Sequence, residues 1–318
     1  MINIKKYWIT LLSFISIALL YKILKDYNWS LLADLSPILY AFLLLIAIIS
    51  FILWITFLKT CLEAIHLRPR WQAVSFIYCF SHAIGRFATP LLSSISEIFL
   101  FKQILQIHYL WAISAELLQI FVRYTLLFLC AFLGITVIFT KNVSTVMLCA
   151  TLLFILTALL IKPPFIKQWG IRNKILNHAS RIKTILLKAN HKKTILCFCL
   201  YLAMLLTQNF SYTLILNHFG YHPNFITLLS LRSIGFIIGV ISMLPMGIGT
   251  KDLTIIWLLT VIGIDKTTAI SSILMDRLFN NLLPLLSATL ISHVLLPKYS
   301  NAIKIAAIKK PRNFFDES

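Results

Sequence analysis

Long apolar runs recur at about 7–24, 37–58, 109–139, 144–161, 194–216 and 267–296. Each can cross a hydrocarbon core of about 30 Å as a helix rising about 1.5 Å per residue. Two further apolar regions, 73–100 and 225–264, are interrupted by Gly, Pro and charge. Such breaks free backbone groups that lipid cannot satisfy, so they belong where protein or a polar cavity surrounds them. The pattern predicts an all-α integral membrane protein of one polytopic domain, 1–318, with about six full spanning helices and two broken or re-entrant helical hairpins. The first run follows Lys5 and Lys6 and is closed by Lys22, Lys25 and Asp26 without a small-residue cleavage site. It reads as a retained helix rather than a signal peptide.

Cations set the expected orientation. Segment 162–193 holds nine Lys or Arg and no acid, and the tail 297–318 is also basic, so both are placed in the cytoplasm, as is the N-terminus. That count works only if 73–100 crosses the membrane an even number of times. Twenty-eight residues are too few for two full spans, so a hairpin turning near Pro90 is expected, the alternative being one tilted helix kinked there. By the same arithmetic 225–264 is either a hairpin from the outer face or two short spans. The two units, 7–161 and 194–296, then enter from opposite sides, as in an inverted repeat. Within 162–193, Ile171, Ile175, Ala179, Ile182 and Leu186 recur at helical spacing beside basic residues. The stripe suits an interfacial helix on an anionic leaflet, the alternative being a solvated basic loop.

The breaks carry the most chemistry. Pro245-Met-Gly247-Ile-Gly249-Thr-Lys251-Asp252 joins helix breakers to a cation and a carboxylate. A fainter copy lies 155 residues earlier, where Glu97 follows Pro90 as Asp252 follows Pro245. Gly85 and Gly239, Arg86 and Arg232, and Arg123 and Arg277 extend the correspondence. Thr250 is positioned to cap a helix carrying Lys251 and Asp252, and Ser93 or Ser94 to cap the one carrying Glu97. Half-helix starts beside basic residues suit an anionic group such as a lipid phosphate. Arg86, Glu97, Arg232, Lys251 and Asp252 are therefore the candidate substrate-binding residues, expected to face one shared polar cavity.

Only ten acids occur in the chain, and Glu97, Glu116, Asp252 and Asp276 fall in apolar regions with Arg86, Arg123, Arg232 and Arg277. An unpaired charge at the bilayer centre costs at least about 2.5 kcal/mol, so pairing is expected. Glu116 and Arg123 share a helix face, and Asp276 and Asn280 form an i,i+4 polar pair with Arg277 beside them. Such pairs either glue helices together or build a site. Arg86 and Arg232 are the expected partners of Glu97 and Asp252 or of a lipid phosphate.

The composition, 59% hydrophobic with a mean hydropathy of +0.89, excludes an ordinary soluble domain. The net charge of +19 sits mainly in connecting segments, which argues against nucleic acid as a partner. The six cysteines lie in or beside apolar segments without a CxxC, so free buried thiols are expected. His218 and His222 stand i,i+4, but Gly220 and Pro223 make that stretch an external loop rather than a metal pair. Dinucleotide, Walker, nucleophile-elbow and HExxH patterns are absent, so no cofactor, metal or catalytic activity is expected.

Pro245-x-Gly247-x-Gly249-x-x-Asp252, followed by an apolar helix, Gly263 and Arg277, resembles the second signature of the lysylphosphatidylglycerol synthase transmembrane region, a flippase-like family. Pro90, Glu97 and Lys102 resemble its first signature, with Ser93–Ser96 in place of the usual Gly-rich turn and basic residue. The likeness runs from about residue 7 to 296. It implies handling of lipids with modified or glycosylated headgroups, without the aminoacyl transferase domain that some members carry. Three functions compete: lipid translocation, a non-catalytic subunit of an envelope lipid or glycan assembly complex, and a membrane-embedded lipid transferase. The expected partners are membrane lipids, anionic ones first, with a membrane-protein partner or homo-oligomer open, in the plasma (bacterial inner) membrane.

Overall fold

A computed structural model describes residues 36–87, 90–139, 172–242 and 249–282, with isolated positions 284, 290, 291, 294 and 299. The expectations for 7–24, 144–161, Pro245, Gly247, Cys149 and the tail lie outside the described residues. So do those for the side chains of Gly85, Arg86 and Pro90. All the described elements are helical: α1 (Pro37–Ala64), α2 (Trp71–Phe87), α3 (Pro90–Leu105), α4 (Tyr109–Phe139), α5 (Arg172–Leu187), α6 (His191–His218), α7 (Phe225–Ile241), α8 (Thr250–Val261) and α9 (Lys266–Arg277). A π turn, Leu278–Leu282, continues α9. Among the described residues, α1, α4 and α6 are long and apolar enough to cross a membrane.

Local chemistry sets the helix starts. Ser36, Asn190, Asn224 and Asp265 accept from backbone N–H groups two or three residues on, opening α1, α6, α7 and α9. Pro90 opens α3, where a fixed φ and a missing N–H cost nothing. Ser93 and Ser94 consequently lie inside α3 rather than capping it, which corrects the expectation for both. Thr250 is likewise the first residue of α8, not its cap: Gly249, at φ +88°, holds the left-handed position before it.

Regions 73–100 and 225–264 each form a helical hairpin. Ser93 Oγ donates to Ser81 O at 2.9 Å across α2 and α3, and Ser242 Oγ meets Thr250 Oγ1 at 2.7 Å across α7 and α8. A single kinked helix over 73–100 is thereby ruled out. The second hairpin is drawn tight by Gly235 and Gly239, spaced as in a G-x-x-x-G helix-packing pair. A Cβ at Gly235 would stand 2.5 Å from Ile255 Cγ1, and one at Gly239 2.9 Å from Lys251 Cβ.

Two pairs of helices correspond between the halves. α1 and α6 have 28 residues each, α2 and α7 have 17 each, and both pairs are offset by 154 positions, 37 to 191 and 71 to 225. α1 and α6 pack along each other in opposite directions: Phe57 meets Tyr201, Cys61 meets Cys197 and Glu63 meets Lys193. A two-fold exchanging them must therefore run across both helices, the geometry of an inverted repeat. The exchange recurs elsewhere, since α7 packs on α4 while Tyr299, beyond the π turn, lies on Phe76 of α2.

Two apolar cores sit at opposite ends of the α1/α6 pair. The first joins Ile55–Ile65 and Cys197–Met204 to α2, α3 and α4; the second joins Leu43 and Tyr212–Leu216 to α7, α8 and α9. Large apolar side chains such as Ile38, Phe42, Leu45 and Ile52 face outward along α1. Glu97, Glu116, Asp252 and Asp276 are instead buried between helices, the distribution lipid requires. Cys61, Cys79, Cys130 and Cys197 are buried free thiols, whereas Cys199 is exposed on α6.

Candidate functional site

The first polar cluster lies between α3 and α4. Glu116, Gln119 and Arg123, spaced three and four apart, share one face of α4, and Ser94 and Glu97 share the facing side of α3. Gln119 Nε2 donates to Glu97 Oε1 at 2.7 Å and to Glu116 Oε2 at 3.1 Å, so one amide bridges two carboxyl groups. Ser94 Oγ donates to Glu116 Oε1 at 2.6 Å. Arg123 Nη2 reaches the same oxygen at 3.1 Å, and its guanidinium lies 5.8 Å from the Trp54 ring. Glu97 and Glu116 are buried, at 8% and 3% exposure. The expected Glu116–Arg123 pair is thus present, and Gln119 is the member that sequence reading missed.

The second cluster gathers on α7, α8 and α9. Arg277 grips Asp252 with two parallel bonds, Nε to Oδ1 at 2.9 Å and Nη2 to Oδ2 at 2.5 Å. Asp252 Oδ2 also accepts from the Gly249 N–H at 3.3 Å, so one carboxylate fixes the helix start and a guanidinium together. Arg232 Nη2 donates to Asp276 Oδ1 at 2.8 Å and its Nη1 to the Gln208 carbonyl, with its guanidinium 4.8 Å from the Tyr212 ring. Asn280 Nδ2 donates to Asp276 Oδ1 at 2.8 Å, as the i,i+4 spacing predicts. Arg232 is therefore the partner of Asp276, and the expectation that it would pair with Glu97 or Asp252 is corrected. Arg277 reaches Asp252 because α9 returns beside α8, a tertiary contact 25 residues apart in sequence.

Lys251 stands apart from these pairs. It is half-buried, its Nζ 5.6 Å from the Phe236 ring, and among the described residues it makes no ion pair. The second cluster accordingly holds three cations against two carboxylates. Among the described side chains the first cluster has the opposite excess, two carboxylates to one guanidinium. Buried Asn209 and half-buried Asn280 each keep an amide oxygen without a donor among the described residues.

Both clusters lie close to the middle of the fold. Ile52 and Leu206 stand near the midpoints of α1 and α6. Arg123 sits beside Trp54, and Arg232 beside Gln208 and Tyr212. Those neighbours lie within about 10 Å of the midpoint along the helix axis. Among the described residues Glu97 bonds within the first half and Asp252 within the second. No group of three His, Cys, Asp or Glu side chains there could hold a metal ion.

A family model described as the lysylphosphatidylglycerol synthase TM region matches residues 8–288. No curated protein matches the chain at a significant level.

Proposed function

The chain belongs to the lysylphosphatidylglycerol synthase TM region family, and from that premise and the geometry above we propose that it carries a lipid with an anionic, modified or glycosylated headgroup between leaflets. A lipid-related role in the membrane follows from the family; translocation is the finer reading. One observation carries it: two helical hairpins, packed at opposite ends of an antiparallel helix pair, each bring a buried charged cluster beside the middle of that pair. Static glue between helices would not need the excess of three cations over two carboxylates found among the described side chains of the second cluster.

In this reading the headgroup occupies a polar cavity between the clusters while its acyl chains stay in lipid. Lys251, not neutralised by an acid among the described residues, takes the phosphate. Arg232, Arg277, Asp252 and Asp276 hold the shape of the site, and the amide oxygens of Asn209 and Asn280 accept from headgroup hydroxyls or amines. Glu97, which among the described residues makes no ion pair and accepts from the neutral amide of Gln119, is free to change partner as the first hairpin moves; Arg86, at the tip of α2, is its proposed cationic neighbour. The membrane is the plasma membrane, with both termini cytoplasmic.

The test is a leaflet assay on proteoliposomes holding fluorescent phosphatidylglycerol, with dithionite reading the outer leaflet. Wild-type protein should expose inner-leaflet probe faster than protein-free vesicles do, and Lys251→Gln should abolish that gain. Wild-type activity in Lys251→Gln would overturn the site. A metal-dependent change in the lipid's mass without translocation would replace this reading with the transferase one.

A further inference from the structure

Outside the charged clusters, an open groove of mixed apolar and polar lining stands on the surface where α5 meets the foot of α4. It encloses about 320 Å³ between His108, Leu110 and Trp111 on one side and Ser180, Arg181, Thr184 and Ile185 on the other. The last four share one face of α5, at i, i+1, i+4 and i+5. From this groove we infer that the chain has a peripheral binding site for the phosphodiester of an anionic phospholipid, separate from the midplane clusters and independent of the translocation reading.

The donors match that ligand. Arg181 is exposed and offers a planar fork suited to phosphate oxygens. His108 Nδ1 accepts from the Leu110 N–H at 3.3 Å, leaving Nε2 as the ring's donor. The Ser180 hydroxyl adds a polar wall, while the Thr184 hydroxyl donates to Ser180 O at 2.9 Å. Trp111, Leu110 and Ile185 supply an apolar floor for the glycerol and upper acyl chain. No acid occurs between 162 and 193, so the local potential is positive.

Rigid anchoring makes this a groove rather than a loose basic loop. Asn190 N–H donates to Ala64 O at 2.7 Å, and His66 Nε2 meets Lys188 O at 2.9 Å, fixing the end of α5 to the end of α1. Ile185 and Leu186 pack on the first apolar core. The stripe expected to face lipid is therefore turned, at least at Leu186, toward protein, while Arg181 and Lys183 stay exposed on this end of α5. Lys183 is exposed on the same helix but does not line the groove.

Native mass spectrometry of the full-length protein in neutral detergent would test this, with dioleoylphosphatidylglycerol, dioleoylphosphatidylcholine and inorganic phosphate as probes. Wild-type protein should retain phosphatidylglycerol over phosphatidylcholine, and Arg181→Gln should lower that retention about fivefold, the usual effect of one cation near an anionic lipid. Arg181→Lys should restore part of it, Lys183→Gln should leave it unchanged, and phosphate should not displace the lipid. Equal retention by wild type and Arg181→Gln would overturn the site. So would an equal loss in Lys183→Gln, equal retention of phosphatidylcholine, or displacement by phosphate.

Discussion

Neutralising Arg277 should destabilise the protein more than neutralising Arg277 and Asp252 together. The pair is bidentate, at 2.9 and 2.5 Å, and its side chains are 18% and 5% exposed. With charge centres about 4 Å apart and an effective dielectric of about 20, the attraction is about 4 kcal/mol. Arg277→Gln leaves a buried carboxylate held by one long bond from Gly249, and removing one partner of such a pair costs about 3–5 kcal/mol. Asp252→Asn strands a less buried guanidinium and should cost about 2–4 kcal/mol. The double variant keeps an amide–amide contact and loses no charge balance, so about 1–2 kcal/mol is expected. The coupling energy should then exceed about 2 kcal/mol, well beyond the additivity error of about 0.5 kcal/mol. Unfolding in mixed micelles titrated with SDS measures all four corners of the cycle. Additive single effects would refute the pair as a structural unit, and singles under about 1 kcal/mol would mean that water enters the cluster.

In the same assay Glu97→Gln should change stability by less than about 1 kcal/mol, because an amide oxygen can still accept from Gln119, yet it should abolish leaflet exchange. Arg123→Gln should cost about 3–5 kcal/mol by stranding Glu116 between α3 and α4; equal stability of Arg123→Gln and Glu97→Gln would contradict the division of labour between them. Gly239→Ala should cost about 1–3 kcal/mol through its contact with Lys251 Cβ, and a neutral effect would mean that α7 and α8 can separate freely. Burial works against the charge on Asp265, but bonds from Thr267, Tyr221 and Thr268 prevail and hold its carboxyl below the usual range. Its capping contribution is then present above about pH 4 and lost as pH falls through the lowered value, so Asp265→Ala should be most destabilising near neutral pH and least so in acid.

How far the sequence could be read depended on whether a feature was local. Hydrophobic run length locates α1, α4 and α6, because lipid penalises any other composition over that length. Pro90 and Gly249 mark the hairpin turns, since fixed φ or positive φ is written into single residues. Glu116 with Arg123 and Asp276 with Asn280 were legible because they share a helix face. Arg277 with Asp252 and Arg232 with Asp276 were not, because the partners are set by how α7, α8 and α9 stack, which no spacing rule encodes. The burial of Leu186 against the first core escaped for the same reason. Gln119 could have been found: a lone amide three residues from one charge and four from another on an apolar helix has few other uses.

The differences between the halves are more informative than the likeness. Arg123 and Arg277 occupy equivalent positions, 154 residues apart, yet Arg277 binds the hairpin acid directly while Arg123 binds Glu116 on its own helix. Gln119 fills the gap that this leaves around Glu97. A hairpin locked by a charge-assisted bidentate contact resists opening more than one held by the Gln119 amide and a single bond from Ser94 to Glu116. The second hairpin should therefore be the fixed wall of the cavity and the first the moving one. Cysteine scanning of both hairpins during turnover would decide it. Changing accessibility along 92–105 with constant accessibility along 250–261 is expected, and the reverse pattern would invert the assignment and with it the proposed role of Glu97.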